Sequence, residues 1–324
     1  YLNLNLKLKE DHETLYKEFD FIDNFILIKQ GTSTIHQTTY REVSKKKKDT
    51  KEIVEEASEE NDKLISELKG MELNKKNKNV LNLIVAYRDP GDGTRKQQLD
   101  TFIEQMNAIF YTQTELHIYI IEQESERDDY DTLPELIKQE KTTMAKFNLG
   151  ILKNIGYSIA SNLSKKKKNS YYVLSDVDLL PSKGLIKDYL KYPTKPIHLG
   201  NKGTRYNMTG TNPQFLGGVL SVRKPDFEAV NGYPNNFWGW GGEDDALNRR
   251  FKDEKIHIEK SNEPVIDLET FSLKEKLTKL KEEKTKEMRK TEKLEEDKLS
   301  WKDNGLSNLD DLYDIQNKTK KGNV

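Results

Sequence analysis

From Val80 onward the chain alternates short apolar runs with amphipathic stretches, and this order constrains its fold more than any other feature. Leu81 to Tyr87 reads as a buried strand. Leu99, Phe102, Ile103, Met106, Ile109 and Phe110 then recur at spacings of three and four, which predicts a helix with one apolar face. Leu116 to Ile121 is a second strand. Phe147, Ile151, Leu152, Ile155 and Ile159 outline a second helix, and Tyr171 to Ser175 a third strand. Strands alternating with helices predict parallel pairing through right-handed crossovers, hence an α/β sheet covered on both faces. Ligands of such sheets sit beyond the carboxyl ends of the strands, so residues directly after a strand carry the most weight.

The rest of the chain is unusually polar. Charged residues make up 34% of the 324 and hydrophobic ones 34%, against about 25% and 45–50% in ordinary globular chains, so part of it is solvated rather than packed. Ser44 to Asn79 and Ser272 to Ser300 are the stretches concerned, and both read as solvated helix, linker or mobile loop. The second would suit a lid that orders over a bound ligand. Lys165 to Lys168 reads as a solvated turn before a strand. Residues 1–78 are expected to form an N-terminal accessory segment, with a strand near Phe25 to Lys29, and residues 79–324 the main domain. Lys+Arg 54 against Asp+Glu 55 leaves a net charge of −1, which argues against a dedicated nucleic-acid binder. Cys 0 excludes a disulfide framework, a thiolate zinc site and a cysteine nucleophile. No apolar run approaches the roughly 20 residues of a membrane span, and the first residues lack a signal-peptide pattern. The chain opens on Tyr1, which leaves an anchor ahead of it open.

Two constellations carry chemistry. Asp176-Val177-Asp178 directly follows the third strand, and two carboxylates so placed suit a hard divalent cation shared with substrate phosphates. The segment Asn235 to Asp245 holds Trp238, Trp240, three glycines and the consecutive acids Glu243, Asp244 and Asp245. A Trp face stacks on the apolar face of a sugar, glycines admit positive φ and close backbone approach, and a carboxylate beside a sugar hydroxyl is a general base. An aromatic turn ahead of an acidic helix start would explain the acids, but not the Trp and Gly content.

These residues resemble the β-1,4-galactosyltransferases, metal-dependent inverting glycosyltransferases of the GT-A, Rossmann-like fold. Gly232 to Asp245 is similar to that family's signature almost residue for residue. Ala86-Tyr87-Arg88-Asp89 resembles its Pro-Phe-Arg-Asn motif, and Phe147 to Gly156 its Phe-Asn-Arg-Ala-Lys-Leu-Leu-Asn-Val-Gly block. Ser175 to Pro181 is similar to Ser-Asp-Val-Asp-Leu-Ile-Pro, and Asp303 to Leu309 to Ser-Asp-Gly-Leu-Asn-Ser-Leu. The resemblance implies Asp178 as metal ligand, Asp176 near ribose and diphosphate, Tyr87 and Arg88 at the uridine, and Gly218 lining the donor pocket. It further implies Trp240 between donor and acceptor, Trp238 and Asp245 at the acceptor, Glu243 on sugar hydroxyls and Asp244 as catalytic base.

Departures from the pattern accompany the likeness. The family's third Asp is Ala246 and its block arginine is Leu149, while Arg95 is matched to the second motif arginine across an insertion. Its Met-x-x-His metal ligands have no counterpart, which leaves Asp267 or Glu269, or water, to join Asp178; His198 and His257 fall elsewhere. Phe215, just before Leu216-Gly217-Gly218, would crowd an acetamido group and so favours galactose. The expectation is transfer of a hexose, foremost galactose, from a UDP-sugar to a glycan hydroxyl with Mn²⁺ or Mg²⁺. UDP-GalNAc, UDP-glucose or UDP-xylose as donor, or a non-catalytic glycan-binding module, are the alternatives. Lack of cysteine suits a viral or microbial relative in a reducing, cytoplasmic compartment, with the Golgi lumen open if an anchor precedes Tyr1.

Overall fold

The computed structural model describes residues 25–30, 35–36, 79–88, 93–110, 113–123, 147–165, 167–204, 215–239, 241–269, 275 and 290–309. The strands β1 (Phe25–Gln30) and β2 (Ile35–His36) precede β3 (Val80–Tyr87), α1 (Thr94–Phe110), β4 (Glu115–Gln123), α2 (Leu149–Leu163) and β5 (Ser170–Ser175). Every residue of β3 is buried, because β4 and β5 flank it in parallel and helices cover both of its faces. Its alternation divides the core. Leu81, Leu83 and Val85 pack in one cluster with Leu99, Phe102 and Met106 of α1, whereas Ile84 and Ala86 join Ile151, Leu152 and Ile155 of α2 in another.

The parallel expectation holds for β1, β4, β3 and β5, and then fails. After β5 come β6 (Leu179–Pro181), α3 (Ile186–Leu190), β7 (Ile197–His198), β8 (Val219–Val222) and α4 (Lys224–Ala229). β8 lies antiparallel to β5, and β7 antiparallel to β8. The chain here doubles back, so that β8 runs against β5 and not alongside it. With α5 (Glu243–Asp253), β9 (Glu259–Lys260), β10 (Val265–Asp267) and α6 (Lys290–Ser300), the described residues form a mixed sheet in the order β2-β1-β4-β3-β5-β8-β7-β9. β10 pairs instead with β6 in a separate two-stranded ribbon. Among the described residues no helix is long and apolar enough to cross a membrane.

Helix α2 approaches the sheet most closely at Gly156, where an added Cβ would stand 2.5 Å from Ile84 Cγ2 and 2.9 Å from Ile121 Cγ1. Gly156→Ala is therefore expected to destabilise the fold. Overpacking costs about 1–3 kcal/mol and outweighs the roughly 1 kcal/mol that Ala gains over Gly in a helix. A denaturant midpoint equal to wild type would contradict this close contact.

Helix α6 lies within Ser272 to Ser300, which the sequence reads as a charged surface helix or mobile loop, and it also brings a buried contact. Residues 290–300 are helical, and Asp297 is wholly buried against Arg250, itself wholly buried. The apolar positions Leu273, Leu277 and Leu280, and most of the expected lid, lie outside the described residues.

Candidate active site

The site collects at the carboxyl ends of β3 and β5. Tyr87 closes β3 and is buried, while the Arg88 guanidinium lies 5.6 Å from the Phe147 ring centroid. Beyond β5 the Asp176 N–H donates to the Gly218 carbonyl at 2.9 Å. Gly218 has φ +86°, and a Cβ there would meet Leu179 Cδ1 at 2.7 Å, so only glycine serves at this turn. At Gly217 an added Cβ would stand 2.5 Å from Asp244 Oδ2; the missing side chain is what lets that carboxylate lie against this backbone. His198 is a core residue behind the same turn, its Nε2 bonded to the Gly217 carbonyl at 2.8 Å and burial lowering its pKa to about 4. The Phe215 ring packs edge-on to it at 5.8 Å.

The acids Glu243, Asp244 and Asp245 form the first turn of α5, after Gly239, Gly241 and Gly242, all with positive φ. Their place depends on a network of asparagines. Asn148 caps α2 by accepting from Ile151 N and donates to the Asn235 carbonyl at 2.7 Å. Asn154 donates to the Tyr233 carbonyl and to Asn235 Oδ1, both at 2.8 Å. Asn235 in turn donates to the Gly305 carbonyl and to Asn308 Oδ1. Three blocks far apart in sequence are thus fastened into one frame that aims the start of α5 at Asp176. Ala246 behind the acids is wholly buried, a packing position.

Inside this frame the charges are crowded. Glu243 is buried, and its Oε2 has no hydrogen-bond partner among the described residues. The Asp244 Oδ1 receives the Tyr233 hydroxyl at 3.4 Å. Burial first, then Glu243, Asp176 and Asp245, push the Asp244 carboxyl well above its usual range, against the pull of Lys153. Burial likewise raises Glu243. Asp245 is paired with Lys290 of α6. Trp238 is partly buried, and its carbonyl accepts from Lys293 at 2.7 Å. Trp240 lies outside the described residues.

Asp178 stands to one side with Glu269. The β6–β10 ribbon places Leu268 N–H on the Asp178 carbonyl at 2.8 Å, and Asp267 Oδ1 accepts from Glu269 N. Both carboxylates converge on Arg95, which reaches Asp178 Oδ2 at 2.7 Å and Glu269 Oε2 at 3.0 Å. Burial would loosen the Arg95 proton, but Asp178 and Glu269 outweigh it and hold the group charged. No trio of His, Cys, Asp or Glu able to hold a metal occurs among the described residues. Two carboxylates aimed at one cationic point nevertheless fit a hard divalent ion that draws its other ligands from substrate phosphates and water.

Sequence reasoning missed Lys153, whose Nζ lies 2.8 Å from Asp176 Oδ1 and whose side chain is 1% exposed. Its signal was a lone lysine among the apolar positions of α2, where the resembling block has leucine.

The α/β sheet thus gathers Asp176, Asp178 and the start of α5 beyond the carboxyl ends of its central strands. Residues 197–273 match the family model described as the N-terminal domain of galactosyltransferase. Mouse β-1,4-galactosyltransferase 1 is 35% identical over 127 residues, 39% of this chain and 30% of that protein. Drosophila melanogaster β-1,4-galactosyltransferase 7 is 29% identical over 181 residues, 54% of this chain and 46% of that protein. The chain is similar to β-1,4-galactosyltransferases, and it spans less than half the length of either relative. The solved catalytic domain of the Drosophila enzyme 7 in complex with xylobiose covers 62% of this chain and 79% of that one, at 25% identity and a TM-score of 0.43.

Proposed function

We propose that the protein transfers galactose, with inversion, from UDP-galactose to a glycan hydroxyl. The observation that supports this best is the meeting of Asp176 and Asp244 against the Gly217-Gly218 backbone, with a buried oxygen of Glu243 that has no partner among the described residues and could receive a sugar hydroxyl. Asp244 takes the proton of the acceptor hydroxyl, that oxygen attacks the anomeric carbon from the opposite face, and the bond to the diphosphate oxygen breaks to release UDP. Tyr87 and Arg88 hold the uridine, Asp176 the ribose and diphosphate, Gly218 and Trp240 the donor sugar. Trp238, Trp240 and Asp245 receive the acceptor. Phe215 favours galactose over its N-acetyl analogue. Asp178 and Glu269, with Asp267 supporting Glu269, would hold Mn²⁺ or Mg²⁺. A divalent ion held there would offset negative charge on the departing diphosphate.

The test is UDP release from a panel of UDP-sugars with GlcNAc, glucose, a xyloside or no acceptor, in Mn²⁺ and in excess chelator. Turnover of UDP-galactose, lost on chelation and in Asp178→Ala, is the expected result. Preference for UDP-GalNAc, UDP-glucose or UDP-xylose would overturn the donor assignment. Absence of both turnover and UDP binding would favour a non-catalytic glycan-binding module.

A further inference from the structure

Lys153 lies in the middle of α2 with its ammonium beneath the carboxylate cluster, and nothing in the mechanism above uses it. Its Nζ meets Asp176 Oδ1 at 2.8 Å and stands 5.5 Å from the Tyr233 ring centroid, whose hydroxyl touches Asp244. Burying an ammonium costs several kcal/mol unless carboxylates repay it, so a lysine in an apolar helix face signals a charge it must meet. We propose that Lys153 is a positioning residue, whose fixed ammonium steadies Asp176 and supplies the positive charge that lets Asp176, Glu243 and Asp244 share one site.

The charges around it agree with that role. Burial alone would strip the lysine of its proton, yet Asp176, Asp244 and Glu243 outweigh burial and hold it charged. In the other direction Lys153 is the cation that opposes the upward push on both Glu243 and Asp244. Among the described residues, the other titratable groups facing Asp244 are Tyr233 from the preceding loop, Asp176 from beyond β5, and Glu243 and Asp245 on its own helix. Lys290 of α6 is paired with Asp245 and not with Asp244. Without Lys153 the cluster keeps its negative charges and loses the cation buried among them.

The inference rests on Asp244 as the base, so its test has an arm that needs no activity. Lys153→Met and Lys153→Gln are compared with wild type in thermal midpoint from pH 5 to pH 8.5, without metal. Removing the ammonium raises the folded pKa of Glu243 and Asp244 further. A carboxyl with a raised folded pKa gives stability that is complete below its unfolded value and lost as pH rises through the folded one. The gap from wild type is therefore expected to be small at pH 5 and to widen towards pH 8.5, and to narrow again in the Asp244→Asn background. A gap independent of pH, or variants unfolded even at pH 5, would overturn the proposal in favour of plain packing. In the activity arm the acid limb of kcat/KM moves up by about one pH unit, roughly a tenfold loss below the limb, with a much smaller loss at pH 9. An unshifted limb also counts against it. A wild type that turns over no donor would refute the transferase reading, while the thermal arm still decides the role of Lys153.

Discussion

Asp244→Asn is expected to lower turnover by about 10²- to 10⁴-fold, the usual worth of a positioned general base, and to leave the fold at least as stable. Asn keeps the shape of Asp244 and its contact with Tyr233, but it cannot take the acceptor proton. The stability half follows from the charge cluster. Burial, Glu243, Asp176 and Asp245 raise the folded pKa of Asp244 above its unfolded value. The stability tied to that group is thus full below about pH 4 and declines as pH rises through the folded value. Above that range the group costs the fold stability, through the proton it retains or the charge it buries, and the amide removes that cost. Steady-state rates and thermal midpoints measured on the same preparations check both halves. A midpoint that falls with the activity would show that Asp244 is structural, and retained turnover would end its assignment as base.

Asp297→Ala is expected to cost about 3–5 kcal/mol of stability, the range for removing one partner of a buried ion pair. Arg250 and Asp297 are both wholly inaccessible. Arg250 also donates to the Gly232 and Asn304 carbonyls at 2.8 Å each, and Arg249 pairs with the same aspartate. The arginine thus ties α5, the Gly232-Tyr233 turn and the 301–309 segment to α6. Without Asp297 its charge has carbonyl partners but no counter-ion. Because α5 begins with Glu243, Asp244 and Asp245, loosening it at Arg250 should also raise the KM for acceptor before the fold is lost. Denaturant unfolding gives the stability change. A loss below about 1 kcal/mol, typical of an exposed pair, would show that water reaches the pair in solution.

Much of the architecture was legible because a buried strand and an amphipathic helix carry periods that local sequence displays. Leu81 to Tyr87 and the Leu99 to Phe110 face fell where the core needed them. The likeness to the galactosyltransferases was legible because Trp-Gly-Trp-Gly-Gly followed by three acids is too particular a grouping to arise from packing alone. The antiparallel β8 was not legible, since a strand's direction depends on where its neighbour's chain returns and not on its own residues. Lys153 and Asp297 were read past for a related reason. A charged side chain looks solvated in sequence, and only the opposing group, 23 residues away for Asp176 and 47 for Arg250, makes it a buried partner.

The sequence by itself determined the apolar periods, the glycines that permit positive φ before α5, and the chemical character of the acids, because these are properties of neighbouring residues. Tertiary structure alone decided that Asn148, Asn154, Asn235 and Asn308 form one frame, that Arg95 lies between Asp178 and Glu269, and that Lys153 sits under Asp176. Charges and hydrogen bonds act over a few ångströms regardless of chain separation, so their partners exist only once the sheet has brought distant segments together.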